Sequence, residues 1–237
     1  NDMMREVTGI ENYFELKKQN ISDGFHNLAI FMKEEGRLNP KKMMDFLYQK
    51  AIEHGVHFLN DYIETIDQNE HAIYLKKYGK IAFKKCGITL NGYIHKLLPE
   101  TTVRPARNLV MITNDMPSLT WDHVVHYNQG YVYFRRIGDK ILIGGGRNID
   151  KDREYTSVLE VNTSIESYLS DFLKNKICIN HPVEIIHQYV GILGFDDSKI
   201  PKVVPHSDSI GIASGMGGMG VAIGSQIGKE LADFLVK

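Results

Sequence analysis

Cysteine is scarce in this chain: Cys86 and Cys178 are the only two in 237 residues. No CxxC pair and no metal-type spacing occurs, so a zinc module or a disulfide scaffold is excluded, and a reducing, cytoplasmic compartment is the default. Basic surplus is lacking too. The 28 Lys and Arg stand against 29 Asp and Glu, and the Lys pairs are scattered, so the electrostatic footprint of a nucleic-acid binder is missing. No apolar run approaches the roughly 18 residues of a membrane span. Neither a signal-peptide pattern nor an internal repeat or low-complexity linker is found. The chain opens on Asn1 rather than Met, which raises the expectation that an upstream part is missing. What remains is ordinary globular composition, 43% hydrophobic and 24% charged, with room for one large domain or two small ones.

Loose helical spacing of Val7, Ile10 and Phe14 predicts a surface helix over 4–19, followed by a strand over 26–32. Asn39-Pro40 is a helix start. The helix over 40–54 places Met43, Met44, Leu47 and Ala51 on one face and stops at Gly55. A short buried strand over 56–60 would complete an α/β unit. A β-rich middle follows, with strands over 63–67, 72–75, 85–90 and 103–113, the last broken by Pro105. A hairpin pairs 131–137 with 140–143 around Gly138-Asp139. Thr163 and Glu166 satisfy capping-box spacing for a helix to about 174. Strands over 183–190 and 209–213 and a helix over 221–236 close the chain. The pattern is mixed, α+β with α/β, with antiparallel hairpins inserted into an α/β frame.

Gly215-Met216-Gly217-Gly218-Met219-Gly220 is the most informative stretch. It follows an apolar strand, precedes an amphipathic helix and satisfies G-x-G-x-x-G. Such a loop lets a ligand approach the backbone, and a helix start offers free amides with partial positive charge. A stand-alone NAD site is refuted by context, because no second strand and no ribose-binding acid follow the helix. The glycines either contact a ligand or permit tight strand–helix packing, and four in six residues favour the ligand. Gly144-Gly145-Gly146 divides evenly between a bend and a ligand contact. Met216 and Met219 could pack on a ligand or fill core; His123 and His126 are expected on a strand and exposed.

Several segments together resemble one family, the FAD-dependent oxidoreductases that include D-amino-acid oxidase, glycine oxidase and sarcosine oxidase. They are Ile88-Thr89-Leu90-Asn91-Gly92-Tyr93 with Leu97-Leu98-Pro99, Val103-Arg104-Pro105-Ala106-Arg107-Asn108, Gly130 to Arg135, Leu142 to Arg147, Gly191 to Pro201 and Ser214 to Phe234. The resemblance implies a partial FAD-binding Rossmann-like domain (36–94 and 191–237) with an inserted antiparallel substrate domain (1–35 and 95–190). It also implies that the βαβ unit for the ADP half of FAD lies upstream of Asn1. The 237-residue piece alone is then expected to be inactive.

By the same resemblance Asn91 and Gly92 lie along the cofactor side of a parallel strand. Gly215, Gly217, Gly218 and Met219 form the loop, and Gly220, Val221 and Ala222 present amides to the flavin. Tyr131 matches a substrate-lining position. Chemistry would be hydride transfer to flavin N5 from the carbon bearing the amine, with no side-chain base and no metal required. One departure stands out: Leu193 occupies the place of a carboxylate-binding arginine, a role Leu cannot fill. Arg135, Arg147 and Arg107 are the replacement candidates, although an arginine of this kind is more often a structural ion-pair partner. Two readings follow for the whole protein: an oxidoreductase acting on a small amine or amino acid, or a related module that binds a nucleotide or a partner without turnover.

Overall fold

Short apolar and alternating runs bounded by turn residues recur along the chain, and the structure is strand-rich. The computed structural model describes residues 1–237, apart from the side chain of Lys202. Thirteen strands and four helices follow one another: α1 Asp2–Thr8, β1 Phe14–Lys18, β2 Leu28–Met32, α2 Pro40–Glu53, β3 Ile63–Asp67, β4 Ala72–Leu75, β5 Gly79–Ala82, β6 Cys86–Ile88, β7 Arg104–Thr113, β8 Val124–Tyr127, β9 Val132–Ile137, β10 Lys140–Gly145, α3 Thr163–Phe172, β11 Ile185–Phe195, β12 Lys202–Ser207, β13 Ile210–Ser214 and α4 Gly220–Leu235. The fold is the expected mixture of α and β with several antiparallel sheets.

The chain divides into two compact units, one of residues 1–39, 109–150 and 161–190, the other of 40–108, 151–160 and 191–237. In the first unit the sheet order is β11-β7-β10-β9-β8. Val132, Phe134, Ile141 and Ile143 are fully buried in one cluster with Ile165 and Leu169 of α3. Each such side chain removed from water contributes about 1.5–3 kcal/mol. Phe25 stacks on Phe134, and Trp121 meets it edge-on. In the second unit β6 lies parallel to β13 while β12 runs antiparallel on its other side. A meander, β3-β4-β5, completes that unit.

Several expectations are corrected. The helix predicted over 4–19 ends at Gly9, whose φ of 75° closes a C-cap with its N–H on the Arg5 carbonyl; β1 then pairs antiparallel with β2. The strand expected over 56–60 does not form, because no strand lies beside it among the described residues. The strand–helix–strand unit built on it therefore falls. Helix α2 has the predicted span, but Met44 and Leu47 of its apolar face are 57% and 42% exposed. Pro105 does not break β7, since it sits at the second residue, where a missing N–H is tolerated. The cap of α3 is Asn162, not Thr163: its side chain accepts from the Ser164 N–H at 3.1 Å.

Candidate functional site

Gly87 and Gly211 face each other across the parallel β6–β13 pair. A Cβ on Gly211 would sit 2.7 Å from the Phe234 ring and 2.8 Å from Leu231, and one on Gly87 3.0 Å from Leu231. Absence of side chains at this pair lets α4 seat directly on the sheet. Because the two strands are parallel, the segments leaving them, Asn91-Gly92 after β6 and Gly215–Gly220 after β13, emerge at the same carboxyl end. That end is where open α/β sheets bind ligands.

Three segments are knotted together there. A Cβ on Gly92 would overlap the Leu193 carbonyl, and one on Gly194 would lie 2.5 Å from Asn91 Oδ1 and 2.8 Å from the Gly92 nitrogen. The Gly217 N–H donates to the Gly194 carbonyl at 2.9 Å. Asn91 holds φ 45°, a region Asn tolerates better than most residues. Its Oδ1 is shielded from water without a hydrogen-bond partner, in the space a Gly194 side chain would take. Asn91 and Gly92 therefore open a two-turn 3-10 segment, Asn91–Lys96, rather than lying on the parallel strand as expected. Asp196 anchors the same knot. It is 6% exposed and accepts from Thr102 Oγ1 at 2.5 Å, the Ser198 hydroxyl at 2.5 Å and the Ser198 N–H at 2.9 Å.

Gly215 and Gly217 hold φ of 79° and 52°, in the left-handed region that favours glycine. Gly218 has open space where a side chain would be, and Met219 is 58% exposed. Helix α4 starts at Gly220 with no side-chain cap, so the amides of Gly220 and Val221 face outward without an intrahelical acceptor. The Ala222 N–H does not join them: it donates to the Met219 carbonyl at 3.0 Å, closing a tight first turn. Met216 turns back, its sulfur 3.8 Å from where a Gly220 side chain would begin.

The first unit carries the residues expected to meet a substrate. Val132 and Phe134 enter its core, so Tyr133 and Arg135 take the opposite face of β9. Tyr131, 40% exposed, precedes that strand. Gly144, Gly145 and Gly146 wrap the same end: a Cβ on Gly144 would overlap the Tyr133 hydroxyl, and the Gly146 N–H donates to the Tyr131 carbonyl at 2.6 Å. Arg147 follows at once, half-buried. Tyr131 and Arg147 are thus brought to one end of the hairpin. Arg135 stands about 13 Å further along the strand at about 3.3 Å per residue, where its Nη1 donates to the Leu38 carbonyl at 2.8 Å. Arg107 is committed to Glu154 in the second unit, 2.7 Å from Nη2 to Oε1, and drops out as a carboxylate clamp. His123 and His126 are exposed.

Gly194 and Asp196 are site residues that sequence reasoning did not single out. The Gly-Phe-Asp-Asp run at 194–197 was their one signal, and only the pairing of distant segments gives it meaning. No group of three or more His, Cys, Asp or Glu that could hold a metal ion occurs among the described residues.

A glycine-lined loop at the carboxyl end of parallel strands, joined in one chain to a large antiparallel sheet, defines a cofactor-binding oxidoreductase fold. The chain belongs to the FAD dependent oxidoreductase family (DAO), whose sequence model matches residues 5–234. Among solved structures it is similar to iminodiacetate oxidase from Chelativorans sp. BNC1, with TM-score 0.76 and 16% identity over 99% of this chain and 67% of that one. It is also similar to L-proline dehydrogenase from P. horikoshii, with TM-score 0.72 and 17% identity over 88% and 58%. Glycine oxidase from Geobacillus kaustophilus gives TM-score 0.72 and 16% identity over 89% and 57%. The chain thus spans between 57% and 67% of the length of these three proteins. No curated protein matches its sequence.

The residues at the glycine knot fit part of an FAD molecule. Gly218 leaves open space beside the loop, and the amides of Gly220 and Val221 suit an electron-rich carbonyl.

Proposed function

We propose that this chain forms part of an enzyme that oxidises a small amine or amino acid at the carbon–nitrogen bond with FAD. The observation that carries the reading is the knot of Asn91-Gly92, Gly194 and Gly217, which holds a side-chain-free surface beside the open start of α4. Bound FAD supplies the two-electron acceptor for hydride leaving the carbon that bears the amine. When FAD is bound, Gly215, Gly217, Gly218 and Met219 would shape the loop against it, and Gly220 and Val221 would offer it backbone hydrogen-bond donors. Asn91 and Gly92 form the floor through backbone rather than through the Asn91 carboxamide oxygen, which is shielded.

Tyr131 and Arg147 are the residues assigned to the substrate, with the Arg147 guanidinium binding its carboxylate. Such a planar fork binds a carboxylate through two parallel hydrogen bonds. The relatives are named for iminodiacetate, proline and glycine, each a carboxylate with an amine, which supports a substrate of that class.

The experiment is an anaerobic titration of the whole protein, of which this chain forms part, purified with FAD supplied, with a panel of amino acids and secondary amines, followed by visible absorbance. Bleaching of the flavin bands by one compound supports the oxidoreductase and identifies the substrate. Flavin that binds and never bleaches establishes a binding module without turnover. Failure to bind flavin in any preparation overturns the reading.

A further inference from the structure

The first unit contains a cavity of about 530 Å³ lined by Arg37, Leu38, Asn39, Asp122, Arg135, Arg136, Ile137 and Gly138. Three guanidinium groups meet in it, and they are not equivalent. Arg37 is matched by Asp122 in a two-pronged ion pair. Arg136 is matched by Asp139 at 3.0 Å and spends its other donors on the carbonyls of Leu119, Trp121 and Gly138. Arg135 has no carboxylate partner among the described residues; one donor reaches the Leu38 carbonyl, leaving most of its five-donor fork unused. With two cations neutralised and one not, the cavity carries an excess of one positive charge. Leu38 and Ile137, 43% and 38% exposed, give it an apolar wall.

We propose that this cavity is a binding site for a small organic carboxylate with a short apolar tail, the carboxylate on Arg135 and the tail against Leu38 and Ile137. A planar fork favours a carboxylate through paired hydrogen bonds, and a single excess charge matches a monoanion. The site lies at the turn end of the β9–β10 hairpin, away from Tyr131 and Arg147. It stands independently of the catalytic reading.

The test uses the full chain with labelled Ile and Leu methyl groups, titrated with hexanoate and, as a control lacking charge, 1-hexanol, each with and without FAD. The expected result is saturable movement of the Ile137 and Leu38 signals with hexanoate alone. Arg135→Gln should weaken binding by about tenfold or more, the worth of a charge-assisted pair. Arg135→Lys should recover part of that loss, and Tyr131→Phe should leave binding unchanged. Equal response to 1-hexanol, hexanoate binding that persists in Arg135→Gln, or absence of saturation would each overturn the proposal. An unchanged unfolding midpoint in Arg135→Gln and Arg135→Lys separates lost binding from lost fold.

Discussion

Arg107 and Glu154 form a forked ion pair sealed from water, their side chains 8% and 1% exposed. Nη2 reaches Oε1 at 2.7 Å and Nε reaches the same oxygen at 3.1 Å, while the Arg107 N–H donates to the Glu154 carbonyl at 2.8 Å. This pair ties the segment 151–160 to β7 within the second unit. Removing one partner leaves a buried charge uncompensated, so Glu154→Ala should lose about 3–5 kcal/mol of stability. A paired Arg107→Met, Glu154→Leu replacement should lose much less. Denaturant midpoints of the three proteins check both statements.

The glycine knot makes a sharper claim. Gly194→Ala forces a methyl against Asn91 Oδ1 and the Gly92 nitrogen at 2.5 and 2.8 Å, backbone and short side chain that cannot swing away. Overpacking of this kind costs about 1–3 kcal/mol, and the displaced 3-10 turn should weaken FAD binding as well. Gly218→Ala meets open space instead, so its unfolding midpoint should stay within error while FAD affinity falls. Flavin fluorescence titration beside thermal unfolding separates the two variants; equal affinity in Gly218→Ala and wild type would argue against a cofactor over that loop.

Much of this was legible in advance, and the long-range exceptions share a cause. The hairpin 132–145 announces itself through alternation around Gly138-Asp139, and α4 through its amphipathic run after the glycine loop. Sequence reasoning failed where the deciding partner is distant in the chain. The segment 56–60 has strand composition but no neighbour to pair with, and Arg107 reads as either a carboxylate clamp or an ion-pair partner until Glu154 arrives from 47 positions away. Ala222 is a local exception, reading as an open amide until the first turn of α4 tightens on the Met219 carbonyl three positions back. Gly194 and Asp196 acquire a role only through contacts with residues near 91, 102 and 217.

Burial of Cys178, 1% exposed with its thiol directed at the Met116 sulfur, pushes its pKa from 9.0 up to about 11. The folded state therefore holds this proton more tightly than the unfolded chain. Its contribution is fully present below pH 9.0 and is lost as pH rises toward 11. The unfolding midpoint should fall across that window, and by less in Cys178→Ala. Thiol reagents should label Cys178 only under unfolding conditions.

The cap of α3 offers a smaller test. Asn162 accepts from the Ser164 N–H and donates to Asp150 Oδ2 at 3.0 Å. Asn162→Ala should lower stability by about 1 kcal/mol, with Asn162→Asp retaining the cap but placing a second carboxylate beside Asp150. Thermal unfolding of the pair ranks the two effects.

Helix α2 buries none of its 14 residues. Its side-chain support comes from exposed pairs such as Lys41–Asp45 and Lys50–Glu53, worth a few tenths of a kcal/mol each. Its hydrogen bonds can open without disturbing a packed core, whereas α4 must first lift Ile227 and Leu231 off the sheet. In deuterated water the two helices of this one unit therefore keep different clocks. The amide protons of α2 are surrendered early by local fraying, and those of α4 are held until far larger openings release them.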